Sequence, residues 1–199
     1  MLTIDIKDGK WLNAPDEFEI SNHSLSFTSM PFTDFWQRTN YGYRTDNGHA
    51  YLFSTGEKEF SFTVKVQFGG KELYDQSGIM VFMDSENWLK ASVEKGKSGE
   101  WLLGSVVTNH GYSDWAITQE ENDEDTVMWY RLTRKQNDFL TEVSRDGKSF
   151  RQIRMSHLFR ASNEIQFGLY ACSPKDSSFQ SVFSCMKLGP SIWSGEDHI

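Results

Sequence analysis

Cysteine and proline are scarce in this chain, positive charge is nowhere clustered, and no apolar run is long. Each shortage closes off a class of protein. The two cysteines, Cys172 and Cys185, stand in "FGLYACSPKDSSFQSVFSCMKLG". Read as one hairpin turning at "SPKDSS", they lie about five residues, or roughly 16 Å, out of register. A disulfide spans at most about 7 Å between α-carbons. Two free thiols are therefore expected, and with them a reducing compartment.

Lys and Arg number 20 against 28 Asp and Glu, a net charge of -8. A phosphate backbone demands clustered cations, so nucleic acid is not an expected partner. No stretch approaches the about 18 apolar residues of a spanning helix, so no membrane association is expected. "MLTIDIKDGKW" has acids where a secretory signal needs a basic start and an apolar run, which predicts a cytoplasmic location. The histidines His23, His49, His110, His157 and His198 have no zinc-site spacing. There is no Gly-x-Ser-x-Gly elbow and no phosphate-cradling glycine loop. "EENDEDT", Glu120 to Thr126, is acidic without EF-hand spacing and reads as a solvated loop rather than a calcium site. No cofactor and no metal is expected.

Aromatic residues, by contrast, reach 15%. Flat rings suit pleated surfaces and sandwich interiors, so the excess points to β structure. A chain of 199 residues can bury about 70% of its unfolded surface, and no linker or repeat divides it, so one domain is expected. "FSFTVKVQF", Phe60 to Phe68, alternates without a break: Phe60, Phe62, Val64, Val66 and Phe68 share one face, and polar residues the other. Similar runs recur at Ser77–Asp84, Asn87–Glu94, Leu102–Asn109, Thr126–Lys135, Phe139–Ser144, Ile165–Ser173 and Gln180–Leu188. Turn chemistry separates them in "FGGKEL", "DSEN", "KGKSG" and "RDGKS". Many short strands with no convincing helical period predict an all-β sandwich or barrel.

"WLNAP", "TDFWQRTNYGYRTDNGH", "YDQSGIMVFMDSENWLKASVE", "SVVTN", "YSDW" and "GLYACSP" follow one another in a pattern that resembles an uncharacterised, regulation-of-enolase-like family. The resemblance runs from Trp11 to about Met186. It implies a concanavalin A-like jelly-roll β-sandwich of two antiparallel sheets, a fold that hosts lectins, glycan-binding modules and glucanases. Fold alone does not transfer function. Glucanases of this fold carry a Glu-x-Asp-x-x-Glu run for acid and nucleophile roles, and this sequence has none.

Candidate site residues come from strand parity. In "NWLKASVE", Leu89, Ala91 and Val93 make a core face, which leaves Trp88, Lys90, Ser92 and Glu94 on the other. A ring beside paired charges suits a sugar, whose apolar face stacks while its hydroxyls take polar partners. The same residues also fit a plain strand face with a cross-strand ion pair. On the neighbouring strand, Asp75 and Gln76 sit near the sheet rim, as ligands or as strand-end caps. "VVTNHGYSDWA" reads as a loop carrying Thr108, Asn109, His110, Asp114 and Trp115. In "TDFWQRTNYGYRTDNGH", Asp34, Trp36, Tyr41 and His49 either edge a pocket or crowd a sandwich corner; Asn47-Gly48 reads as a turn.

Three readings follow. The first is a non-catalytic module holding a carbohydrate or similar polyhydroxylated ligand, with Trp36, Tyr41, Trp88 and Trp115 stacking. Asp34, His49, Gln76, Lys90, Glu94 and Asp114 would then hydrogen-bond. The second is a glycoside-active enzyme with an atypical carboxylate pair, such as Glu94 with Asp75. The third, hinted at by the family label, is a protein-interaction module that regulates a metabolic enzyme.

Overall fold

Phe60, Phe62, Val64, Val66 and Phe68 are all buried, as their alternation predicts. They lie on one strand of a nearly all-β structure, a computed structural model that describes residues 4–40, 42–120, 127–161 and 163–193. Tyr41 and most of "EENDEDT" (121–126) lie outside the described residues.

The strands in chain order are β1 (Lys10–Leu12), β2 (Phe18–Ile20), β3 (Ser24–Thr28), β4 (Phe35–Gln37), β5 (Arg44–Asp46) and β6 (His49–Thr55). Then come β7 (Glu59–Phe68), β8 (Gln76–Asp84), β9 (Asn87–Lys95), β10 (Trp101–Asn109) and β11 (Tyr112–Glu120). Last are β12 (Val127–Lys135), β13 (Asp138–Ser144), β14 (Arg151–His157), β15 (Ile165–Cys172) and β16 (Gln180–Gly189). They form two seven-stranded antiparallel sheets, ordered β1-β6-β15-β8-β9-β10-β11 and β14-β13-β12-β7-β16-β3-β2, plus a small ribbon of β4 and β5. This is the expected jelly-roll sandwich. Among the described residues no helix is long and apolar enough to cross a membrane.

The sheets lock together through rings. Phe167 of β15 sits 4.8 Å from Phe60 and 5.2 Å from Phe62 of β7, centroid to centroid. All three are buried, so truncating Phe167 to alanine would cost about 3 to 5 kcal/mol.

Two sequence expectations need correction. Cys172 and Cys185 do not share a hairpin, because β15 pairs with β6 and β8 in one sheet while β16 pairs with β3 and β7 in the other. The segment between them crosses from sheet to sheet. Both thiols are nonetheless free, Cys172 buried and Cys185 exposed. The stretch from Thr108 to Trp115 is not an open loop but a tight hairpin joining β10 and β11. His110 (φ 52°) and Gly111 (φ 75°) supply the two left-handed residues that a two-residue turn of matching twist needs.

The opening stretch "TDFWQRTNYGYRTDNGH" has an unusual position. It is not an edge of either large sheet. β4 and β5 pair with each other, Phe35 opposite Asp46 and Gln37 opposite Arg44, and lie over the outer face of the first sheet. Phe35 drives down against Trp88 and Tyr170, with ring centroids 6.1 and 6.4 Å away. A second apolar cluster forms there, which includes Phe35, Trp36, Leu52, Met80, Trp88, Val106 and Tyr170. The ribbon thus supplies a cover for one half of a sheet face that would otherwise be wet.

Candidate functional site

Strand register assembles the site. On β9 the outward positions are Trp88, Lys90, Ser92 and Glu94, because Leu89, Ala91 and Val93 join the core between the sheets. Their partners on β10 are Thr108, Val106, Gly104 and Leu102, and on β8 they are Phe82, Met80, Gly78 and Gln76. Trp115 on β11 stands opposite Val106. Where the ribbon ends, this face opens into a cleft of about 330 Å³. Asp34, Trp36, Gln76, Lys90, Glu94 and Trp115 line it, together with Tyr43, Tyr74, Ser92, Gly104 and Lys175.

The floor is kept open by small residues. A Cβ built on Gly104 would come 3.0 Å from Glu94 Oε2, 3.6 Å from Trp115 Nε1 and 3.7 Å from Ser92 Oγ. Any side chain at this position would therefore take up space between the carboxylate and the indole.

One wall is a buried polar network. Lys90 Nζ donates to Asp34 Oδ1 at 2.9 Å and to Gln76 Oε1 at 2.8 Å. The same Gln76 oxygen accepts from Tyr170 Oη at 3.1 Å, and Gln76 Nε2 donates to the Tyr74 carbonyl. Lys90 is almost wholly buried, and Asp34 supplies its counter-charge. The ribbon is fastened on the far side as well. Gln37 N donates to Ser113 Oγ, and Arg38 donates to the Gly111 carbonyl and pairs with Glu86.

Glu94 is different. It is only 5% exposed and lines the cleft. No described residue donates a hydrogen bond to its carboxylate. Burial raises its pKa to about 7, with Lys90 opposing and the Asp34 charge adding to the rise. Near neutrality it is thus both a proton donor and a carboxylate in wait.

Aromatic rings frame the opening. Tyr43, Tyr74 and Trp115 are each more than a third exposed. Trp36, mostly buried, meets Trp115 edge-on at 6.5 Å and donates its indole N–H to the Thr39 carbonyl. A half-exposed ring beside buried polar groups can stack on an apolar ligand face while the polar groups fix its orientation.

Of the ten residues given a stacking or hydrogen-bonding role from sequence, four do not line the cleft or lie outside the described chain. Trp88 has the expected parity, but Phe35 covers it; it is 0% exposed and donates its indole N–H to the Ser85 carbonyl. It cannot serve as a stacking platform. His49 ties down the base of the ribbon. Its Nδ1 lies 2.7 Å from the Asn13 carbonyl, and its Nε2 accepts from Met30 N. That pairing requires the neutral ring, and burial lowers its pKa accordingly. Asp114 has the opposite parity to Trp115 and so reaches towards the second sheet, where Arg154 Nη2 meets its Oδ1 at 2.7 Å. Tyr41 lies outside the described residues.

Asp75, the suggested acid partner of Glu94, is also elsewhere. Its Oδ2 accepts from Lys71 N, Glu72 N and Ser177 Oγ, which caps a loop. The carboxylate that shares the cleft with Glu94 is Asp34. Tyr43 belongs to the aromatic stretch read as a pocket edge, whereas Tyr74 escaped sequence reasoning because it lies on no patterned strand.

These features define a β-sandwich protein with an aromatic-rimmed, partly charged cleft on an outer sheet face. The GH43 protein BlXynB from Bacillus licheniformis shares the fold, with a TM-score of 0.71 at 12% identity over 92% of this chain and 37% of that one. So does a GH43B protein from Bacteroides ovatus, with a TM-score of 0.65 at 13% identity over 94% of this chain and 37% of that one. Such distant likeness shows the fold alone.

The chain belongs to the family described as "Protein of unknown function (DUF1349)", whose model matches residues 11–191. It is 34% identical over 180 residues to "Regulation of enolase protein 1" of Saccharomyces cerevisiae, covering 90% of this chain and 88% of the yeast protein. It is also similar to a crystal structure of a functionally unknown protein from that yeast. There the TM-score is 0.88 at 32% identity, over 96% of this chain and all of that one (100%).

Proposed function

We propose that this protein is a single-domain, non-catalytic binding module that holds a carbohydrate or similar polyhydroxylated ligand in the cleft beside the ribbon. One observation carries the reading. Half-exposed Trp115 overhangs a glycine-floored space whose walls are the Lys90–Asp34–Gln76 network and the Glu94 carboxyl. Trp115, Tyr43 and Tyr74 offer stacking faces, and Trp36 backs them. The buried network brings preorganised donors and acceptors that need not be ordered again on binding. The two free thiols support a cytoplasmic setting.

The test is titration calorimetry of the purified chain against mono- and oligosaccharides, repeated with Trp115→Ala. Saturable heat that vanishes in the variant supports the reading. Equal heat from both proteins moves the ligand elsewhere.

A second reading has a specific observation behind it. Tyr112, Ile117 and Phe159 are apolar and well exposed, and the yeast relative's name speaks of regulating enolase. On this reading the module regulates a metabolic enzyme by contact. Capture of enolase that survives excess free sugar would favour it.

A further inference from the structure

Glu94 is a nearly buried carboxyl that faces the cleft and takes no hydrogen bond from any described residue. The neighbouring charges are accounted for. Lys90 on the same strand gives two of its three N–H donors to Asp34 and to Gln76 of β8, and acts on Glu94 only through its charge. From β15, Tyr170 is engaged with Gln76; from β10 and β11 come Gly104 and Trp115, neither of them charged. At the rim Lys175 lies over the Tyr74 ring at 5.6 Å, in an exposed position where its charge is screened. The Lys90–Asp34 pair cancels itself. One acid is left over, and the rings of Trp115, Trp36, Tyr43 and Tyr74 line the same space.

A native protein rarely buries a polar group without a partner, and exceptions call for an explanation. A desolvated acid next to several ring faces fits a cation, since ring quadrupoles and a carboxylate both attract positive charge. The opposite choice, an anionic ligand, would meet the Glu94 carboxyl in a protein of net charge -8. We infer that the ligand of this cleft is an amine-bearing polyol, with its ammonium group seated against Glu94 above Gly104.

This rests on the reading of the cleft as a ligand site and narrows it to one chemical class. Seating the ammonium leaves Glu94 ionised. Below neutrality Glu94 is mostly protonated in the free protein, so binding there releases its proton to solvent. A neutral sugar has no such effect, because it can accept from the protonated carboxyl as it stands.

The experiment uses the full chain in titration calorimetry at about pH 6, in two buffers of different ionisation heat, with three matched pairs: glucosamine and glucose, galactosamine and galactose, mannosamine and mannose. The inference expects at least one amino sugar to bind on the order of tenfold more tightly than its neutral partner, the worth of a charge-assisted hydrogen bond. It also expects release of about one proton per site. Glu94→Gln, checked for fold by circular dichroism, loses both the preference and the proton. If neutral members bind as tightly as amino members, or the preference survives in Glu94→Gln, the inference is overturned while the cleft remains a sugar site. If no member of any pair binds, both the inference and the reading beneath it fail.

Discussion

Lys90 Nζ lies 2.9 Å from Asp34 Oδ1, across 56 positions of sequence. This contact fastens the β4–β5 ribbon to the face it covers and sets one wall of the cleft. Without it a buried ammonium would lose its counter-charge, which costs about 3 to 5 kcal/mol. Ribbon and site are therefore one device, and most changes that loosen one disturb the other.

Glu94 makes stability depend on pH. Its folded pKa, about 7, stands above its ordinary value of 4.5. The folded state holds the proton more tightly, so its contribution is fully present below about pH 4.5 and is lost as pH rises through 7. The loss amounts to something on the order of 3 kcal/mol. Glu94→Gln removes this slope and is more stable than the parent at pH 8, as denaturant titrations at several pH values will show.

His49 has the opposite sign. Its folded pKa is lowered by burial, so its contribution is present above the unfolded value of 6.5 and declines as pH falls below it. The two slopes partly offset each other in the parent protein. Glu94→Gln should expose the His49 limb as growing acid sensitivity between about pH 6.5 and 5, and the double change His49→Asn with Glu94→Gln should flatten it.

Trp88→Ala lowers stability by about 3 to 5 kcal/mol, because it empties a large volume beneath Phe35 and beside Lys90. Thermal unfolding followed by circular dichroism measures this. A melting temperature within a degree or two of the parent would mean that the ribbon does not cover this ring in solution.

Gly104→Ala separates fold from site. Gly104 has no positive φ, and the nearest atoms to an added methyl are side-chain ends rather than backbone. The strand therefore tolerates it, and alanine's smaller backbone entropy cost favours it slightly. The methyl intrudes between Glu94 and Trp115, so ligand affinity should drop several-fold while unfolding is unchanged or slightly improved. Calorimetric binding and melting, run side by side, give both numbers.

Much of this was legible in the sequence, for a physical reason. β7 and the stretch Leu89–Glu94 of β9 alternate apolar with polar residues, and a period of two assigns their faces without further information. The grouping of Lys90, Ser92 and Glu94 with Gln76 and the outer face of β8 follows from that parity and the tight turn at Ser85–Glu86. What parity cannot reveal is whether a face is later covered. Trp88 and Lys90 share a side, yet one lies under Phe35 and the other borders the cleft, because a segment more than fifty residues earlier folds over them. β11 escaped notice since it is an edge strand whose two faces are both largely exposed, so no burial pattern is written into it. The sheet crossing between Cys172 and Cys185 escaped for a similar reason: a loop's composition marks a turn but not which sheet receives the next strand.

The central claim is that ligand enters beside Trp115 and not elsewhere on the sandwich. The most direct measurement is a titration of the ¹⁵N-labelled protein with the best-binding sugar, watching the indole N–H resonances of the tryptophans. The account predicts that the Trp115 resonance moves with saturation, followed by Trp36 to a smaller extent, while buried Trp88 stays in place. Movement confined to tryptophans outside the cleft, with Trp115 unmoved at saturation, would contradict it.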